Sequence, residues 1–142
     1  MHPKSREELI SYLDALGERG DDLSMLFMRP IGTSNGLVAI VRDRIPRLCY
    51  VHTRQYEIVR PIRFWLFALR RKLRFHFERW DRETTSQAEI GRISAEAVSH
   101  IEACYMQVYG HNGPLTLEFM PMGWTPTKQR RFGDAPGLSI DS

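Results

Sequence analysis

The chain of 142 residues is 42% hydrophobic and 26% charged, which suits one globular domain and is too apolar for a disordered segment. Its two cysteines, Cys49 and Cys104, exclude a disulfide-built scaffold and are expected to be buried, reduced thiols. The formal net charge of +3 is unevenly spread: residues 42–92 hold 13 Lys/Arg against 6 Asp/Glu, while each flank carries a small acidic excess. A basic middle whose cations are all arginine except Lys72 points to a partner with an acidic surface.

The opening MHPKSREELI has no apolar segment of the leader type, and the longest apolar run, Phe64 to Leu69, falls far short of the ~20 residues of a spanning helix. A soluble, cytoplasmic protein without a membrane span is the expectation. Ser5 and Glu8 have capping-box spacing, and Leu9, Leu13 and Leu16 then share one face, so a short first helix is predicted from Ser5 to Arg19, ended by Gly17 and Gly20. The runs LSMLFM, GLVAIV and RLCYVH are short, apolar and bounded by turn-formers, which predicts three strands, the last two forming a hairpin with Pro46 at its turn.

Pro61 suits the first turn of a helix that is predicted to run to about Arg82. Ser86 with Glu89 reads as a second capping box, opening a helix whose stripe is Ile90, Ile93, Ala97, Ile101, Cys104, Tyr105 and Val108, closed by Gly110. Alternation of Leu115, Leu117 and Phe119 with Thr116 and Glu118 predicts a fourth strand. The expected fold is α+β: a mainly antiparallel sheet of about four strands packed against two long helices and a short N-terminal helix. Residues 1–125 form the domain in this reading, and residues 126–142 an irregular, basic, mobile tail containing KQRRF.

The stretch RPIRFWLFALRRKLRFHFERW, residues 60–80, is both strongly basic and strongly apolar. On a helix, Ile62, Trp65, Leu66, Leu69, Leu73, Phe77 and Trp80 make a core-facing stripe, while Arg60, Phe64, Phe67, Arg71, Arg74, Phe75 and Arg82 collect on the opposite side. Three arrangements account for that second side. The rings are buried between layers or beneath the tail with arginines reaching outward, or the side is an interface with another protein or a second copy, or it binds nucleic acid. A rival local reading makes residues 73–79 a strand, since LRFHFER alternates strictly.

Catalytic and metal motifs are weak. Gly32-Thr33-Ser34-Asn35-Gly36 spells a nucleophile elbow, but a strand rather than a helix is predicted after it. Cys49 with His52, and His100 with Cys104, could supply zinc ligands, although residues three apart on a strand point to opposite faces. No cofactor motif is present, and no metal or cofactor is expected. The expected function is a non-enzymatic, regulatory or inhibitory binding protein that docks on an acidic protein surface or nucleic acid, with a homodimer as a further partner. Arg60, Arg63, Arg70, Arg71, Arg74 and Arg82 would supply charge, and Phe64 and Phe67 contact. The alternative is a small enzyme with a site near His52, His100 or Ser34.

Overall fold

The computed structural model describes residues 3–19, 24–33, 36–42, 44–52, 58–80 and 83–121. Ser34, Arg82 and the basic tail at 126–142 lie outside them. The helices are α1 (Pro3–Arg19), α2 (Val59–Arg70) and α3 (Ser94–Cys104), the last continued by a π-helical turn, Tyr105–Tyr109. The strands are β1 (Ser24–Pro30), β2 (Leu37–Arg42), β3 (Ile45–His52), β4 (Phe75–Trp80), β5 (Glu83–Glu89) and β6 (Leu115–Pro121). They form one antiparallel sheet in the order β4-β5-β3-β2-β1-β6. Among the described residues no helix is long and apolar enough to cross a membrane.

The α+β class holds, with six strands in place of about four. The extra pair is β4 and β5. The helix expected over 61–82 ends at Arg70, and the Ser86–Glu89 pair taken as a cap lies within β5. The strand reading of LRFHFER is the one realised. Pro46, expected at the β2–β3 turn, is the second residue of β3, opposite Val41, and its carbonyl accepts the Ile90 N–H at 3.0 Å.

Alternation along the strands divides the sheet's two faces. Leu26, Met28, Leu37, Ala39, Leu48, Tyr50 and Ala88 face the helices, which bring Leu9, Leu13, Leu16, Phe64, Phe67, Ala97, Val98, Ile101, Cys104 and Tyr105 onto them. A smaller buried cluster of Phe27, Val38, Ile40, Cys49 and Val51 occupies the opposite face. The Tyr105 hydroxyl donates to the Met28 carbonyl at 3.0 Å, which ties the π-helical turn to β1. Gly110 closes that turn in the left-handed region, φ +67°, as the sequence leads one to expect.

α2 is seated in the phase opposite to the expected one. Pro61, Phe64, Phe67 and Ala68 are its buried residues, and both phenylalanines are fully inaccessible. The rings of Phe64 and Phe67 lie 5.6 Å apart, and Tyr50 stands 5.8 Å from Phe64. The expected stripe gained its weight from Leu73, Phe77 and Trp80; once the helix stops at Arg70 these no longer vote on its phase, and the larger rings take the interior.

Replacing Phe67 by Ala should therefore cost about 3–5 kcal/mol in urea unfolding, while Leu69→Ala stays within ~0.5 kcal/mol. Tryptophan fluorescence at sub-micromolar protein reads both, and a helix seated the other way would reverse the order.

Candidate docking surface

Three sides of α2 emerge from its buried one. Toward the π-helical turn, the Arg60 guanidinium lies 5.1 Å from the centre of the Tyr109 ring, and Arg63 donates to the Val108 carbonyl at 3.5 Å. Toward β4, the Trp65 ring meets Phe77 edge-on at 5.6 Å. Between these lies an open flank of Ile58, Val59, Ile62, Leu66 and Leu69, with Leu69 69% exposed. Phe77, 54% exposed, extends that apolar surface onto the sheet.

The end of α2 is built to present cations. Leu73 N–H donates to the Ala68 carbonyl at 2.9 Å and Lys72 N–H to that of Leu69 at 3.1 Å, the two bonds of a Schellman cap. Lys72 occupies the left-handed position usually given to glycine, with φ +56°. The tight reversal turns out Arg70, Arg71, Lys72 and Arg74, all exposed, as is Arg63 higher on the helix. Among the described residues none of these five makes a salt bridge. Arg71 Nε donates to His100 Nδ1 at 2.7 Å, so His100 serves as a neutral acceptor. Partial burial and then the Arg71 guanidinium lower its pKa, against the smaller opposite pull of Glu96.

Of the residues expected to bind, then, Arg63, Arg70, Arg71 and Arg74 face outward, and Arg60 is half-buried against Tyr109. The expectation that Phe64 and Phe67 share their face is corrected: both rings are core, because the helix rotates them under the sheet's aromatic neighbours. Sequence reasoning assigned the exposed aliphatic flank to the core and so missed it as a surface. The alternation of LRFHFER was the signal that could have found it, since a strand there shortens α2.

Two polar clusters flank this surface. Beneath Trp65, the buried Ser86 Oγ receives the indole N–H at 3.0 Å and lies 2.7 Å from His52 Nε2. Having accepted from Trp65, the serine has its own proton left for the ring nitrogen of a neutral histidine. Burial lowers the His52 pKa, in keeping with that state. The pair resembles a base and a nucleophile only in distance: Ser86 is inaccessible, and among the described residues no carboxylate orients His52. On the opposite face of the sheet, Arg47 NH1 lies 3.1 Å from His76 Nε2 and 3.4 Å from Gln87 Oε1, with Glu78 at 4.0 Å.

His52 and His100 have separate partners, Ser86 and Arg71, so the structure does not join them in one pocket. Cys49 belongs to the far-face cluster and His52 to the helix side, so that pair cannot share a metal. Cys104 is buried in the main core, and its burial pushes the thiol pKa well up. Among the described residues no group of three His, Cys, Asp or Glu is arranged to hold a metal ion. A cleft of about 640 Å³ between the end of α1 and the start of α3 mixes Leu13, Val41 and Ala97 with Asp14, Glu18, Arg44 and Arg92.

Both shifted histidines resist protonation in the folded chain, whereas the unfolded chain takes up these protons near the ordinary value of 6.5. Stability should hold level above about pH 7 and fall as the pH drops from 6.5 toward the lowered folded values. Glu83 and Glu118, whose pKa values burial raises, act in the opposite sense at lower pH. Urea midpoints at pH 7.5 and 5.5 should show the loss, and His52→Gln should remove part of it.

No protein-family model, no curated protein and no solved structure matches this chain.

Proposed function

We propose that the protein is a non-enzymatic binding protein that docks an acidic protein surface on the cationic end of α2. One observation carries this reading: Arg63, Arg70, Arg71, Lys72 and Arg74 are all exposed, and none is neutralised by a carboxylate among the described residues. A cluster of this kind focuses a positive field that steers acidic partners and fixes their orientation. Lys72 strengthens the case. A side chain in the left-handed region costs about 1 kcal/mol that glycine would not, and the return at this position is one more outward cation.

Protein is favoured over nucleic acid by what lies beside the charges. Binding of unpaired bases relies on exposed rings as stacking platforms. Phe64 and Phe67 are interior, the exposed neighbours of Arg70 on the helix are Leu66 and Leu69, and Phe77, the exposed ring on this surface among the described residues, is already engaged edge-on by Trp65. Aliphatic side chains next to arginine suit a protein interface, where arginine anchors are surrounded by apolar contact.

The test is capture from cell lysate at low salt, followed by titration of the purified partner. Arg70→Glu/Arg71→Glu/Arg74→Glu should weaken binding at least about tenfold with unchanged circular dichroism, since each exposed charge contact contributes on the order of 0.2–1 kcal/mol before the reversal adds repulsion. Binding of single- or double-stranded oligonucleotides that the same variant abolishes, with no protein captured, would replace this reading by a nucleic-acid one. Lys72→Gly should raise stability by about 1 kcal/mol and weaken the acidic partner's binding, a trade visible in urea unfolding and the same titration.

A further inference from the structure

One side of α2 is open to solvent over the whole length of the helix. At the helical repeat of about 100° per residue, Ile58, Leu69, Ile62, Leu66 and Val59 follow one another around a sector of about 100°. These five are between 41% and 69% exposed, so the stripe given by their spacing is the one that water reaches. Arg70 and Arg63, both exposed, come next around the helix on one side, and the half-buried Trp65 borders the other. From Ile58 to Leu69 the stripe runs roughly 17 Å, about three turns. Past its end the helix cap turns out Arg71, Lys72 and Arg74.

We infer that this stripe seats an amphipathic helix of an acidic protein, laid antiparallel to α2 with the carboxylates of its first turn on Arg70, Arg71, Lys72 and Arg74. The inference rests on the proposed function and specifies the partner's shape. A helix matches an aliphatic stripe of this length because apolar residues at i, i+3, i+4 and i+7 repeat along it at the same spacing, and the ridges of one helix pack into the grooves of the other. Polarity follows from the charges. Four cations are gathered at the C-terminal end of α2, whereas Arg60 near the other end is turned onto the Tyr109 ring. Carboxylates are favoured in the first turn of a helix and disfavoured in its last, so an antiparallel partner brings its acids to the cations at no cost to its own stability. Arg71 meets His100 through Nε, which leaves its terminal nitrogens to grip a carboxylate.

A second copy of the chain does not supply this match. From Val59 to Arg70 α2 contains no acidic residue, so α2 packed on α2 would neutralise none of these cations. An anionic bilayer is also a lesser fit. Phe64 and Phe67 fix the helix to the protein's own core, and Trp65, the ring suited to a headgroup layer, is held against Phe77 and donates its indole N–H to Ser86.

Fluorescence anisotropy on the full chain with designed peptides is the test. The probe is a labelled peptide of about 18 residues, long enough to span the stripe, with Glu throughout its first turn and Leu at i, i+3, i+4 and i+7 on an Ala/Gln background. One control carries the same residues in reverse order. The forward peptide should bind saturably below about 100 µM, and the reversed one at least about fivefold more weakly. Ile62→Gln/Leu69→Gln, neutral changes at exposed positions, should weaken the forward peptide at least about tenfold with unchanged circular dichroism. Arg70→Gln/Arg71→Gln should weaken it and flatten its salt dependence. Equal binding of the two peptides, or binding indifferent to Ile62→Gln/Leu69→Gln, would overturn the inference. So would a forward peptide that does not bind, and phosphatidylserine vesicles or sedimentation equilibrium would then show whether a bilayer or a second copy takes the stripe. An acidic protein released by Arg70→Glu/Arg71→Glu/Arg74→Glu but held unchanged by Ile62→Gln/Leu69→Gln would overturn this inference and leave the proposed function standing.

Discussion

The surface described above follows from where α2 stops. The Schellman bonds from Leu73 to Ala68 and from Lys72 to Leu69 close the helix within one turn, and each is worth on the order of 1 kcal/mol. Together with the packing of Leu73 against the core they offset the left-handed backbone at Lys72. Had the helix run on to Trp80, Leu73 and Phe77 would have joined Ile62 and Leu69 in a single stripe, leaving Phe64 and Phe67 outside. Stopping it at Arg70 inverts the helix, starts β4 and creates the sheet edge.

The inversion leaves α2 apolar on two sides. The inner side is aromatic and belongs to a ring cluster in which Tyr50 contacts Phe64 and Tyr109, and Tyr109 contacts Tyr105. Rings confer more burial per position than branched aliphatics, which explains why this side rather than the other is inside. The outer side keeps its hydration cost of roughly 25 cal/mol per Å², a contiguous apolar area of the kind that single-chain surfaces seldom leave uncovered.

Legibility in the sequence tracked how local each decision was. Leu9, Leu13 and Leu16 announce α1, alternation announces β6, and Ala97, Ile101, Cys104 and Val108 announce α3, because each pattern contains its own period. The β4–β5 hairpin did not announce itself. LRFHFER satisfies two periods at once, and Thr85-Ser86-Gln87 looks like a polar break, although all three are buried in β5. Their burial is made tolerable by partners that only the folded hairpin and α2 supply: Trp65 for Ser86, the Glu78 carbonyl across the hairpin for Thr85, and Thr85 in turn for Gln87. The arginines of the candidate site were visible from composition. Their companions were not, since which side chains share a helix face depends on a termination that only the tertiary structure decides.

Two surfaces thus meet on one helix with opposite physical characters, an aliphatic flank and a cationic end. Contact between the cationic end of α2 and an acidic partner weakens as ions screen it over a Debye length of about 10 Å at 0.1 M. Each exposed cation there would add a screened contact of on the order of 0.2–1 kcal/mol, so the charged end acts through the number of arginines that the helix stop gathers and not through any one of them.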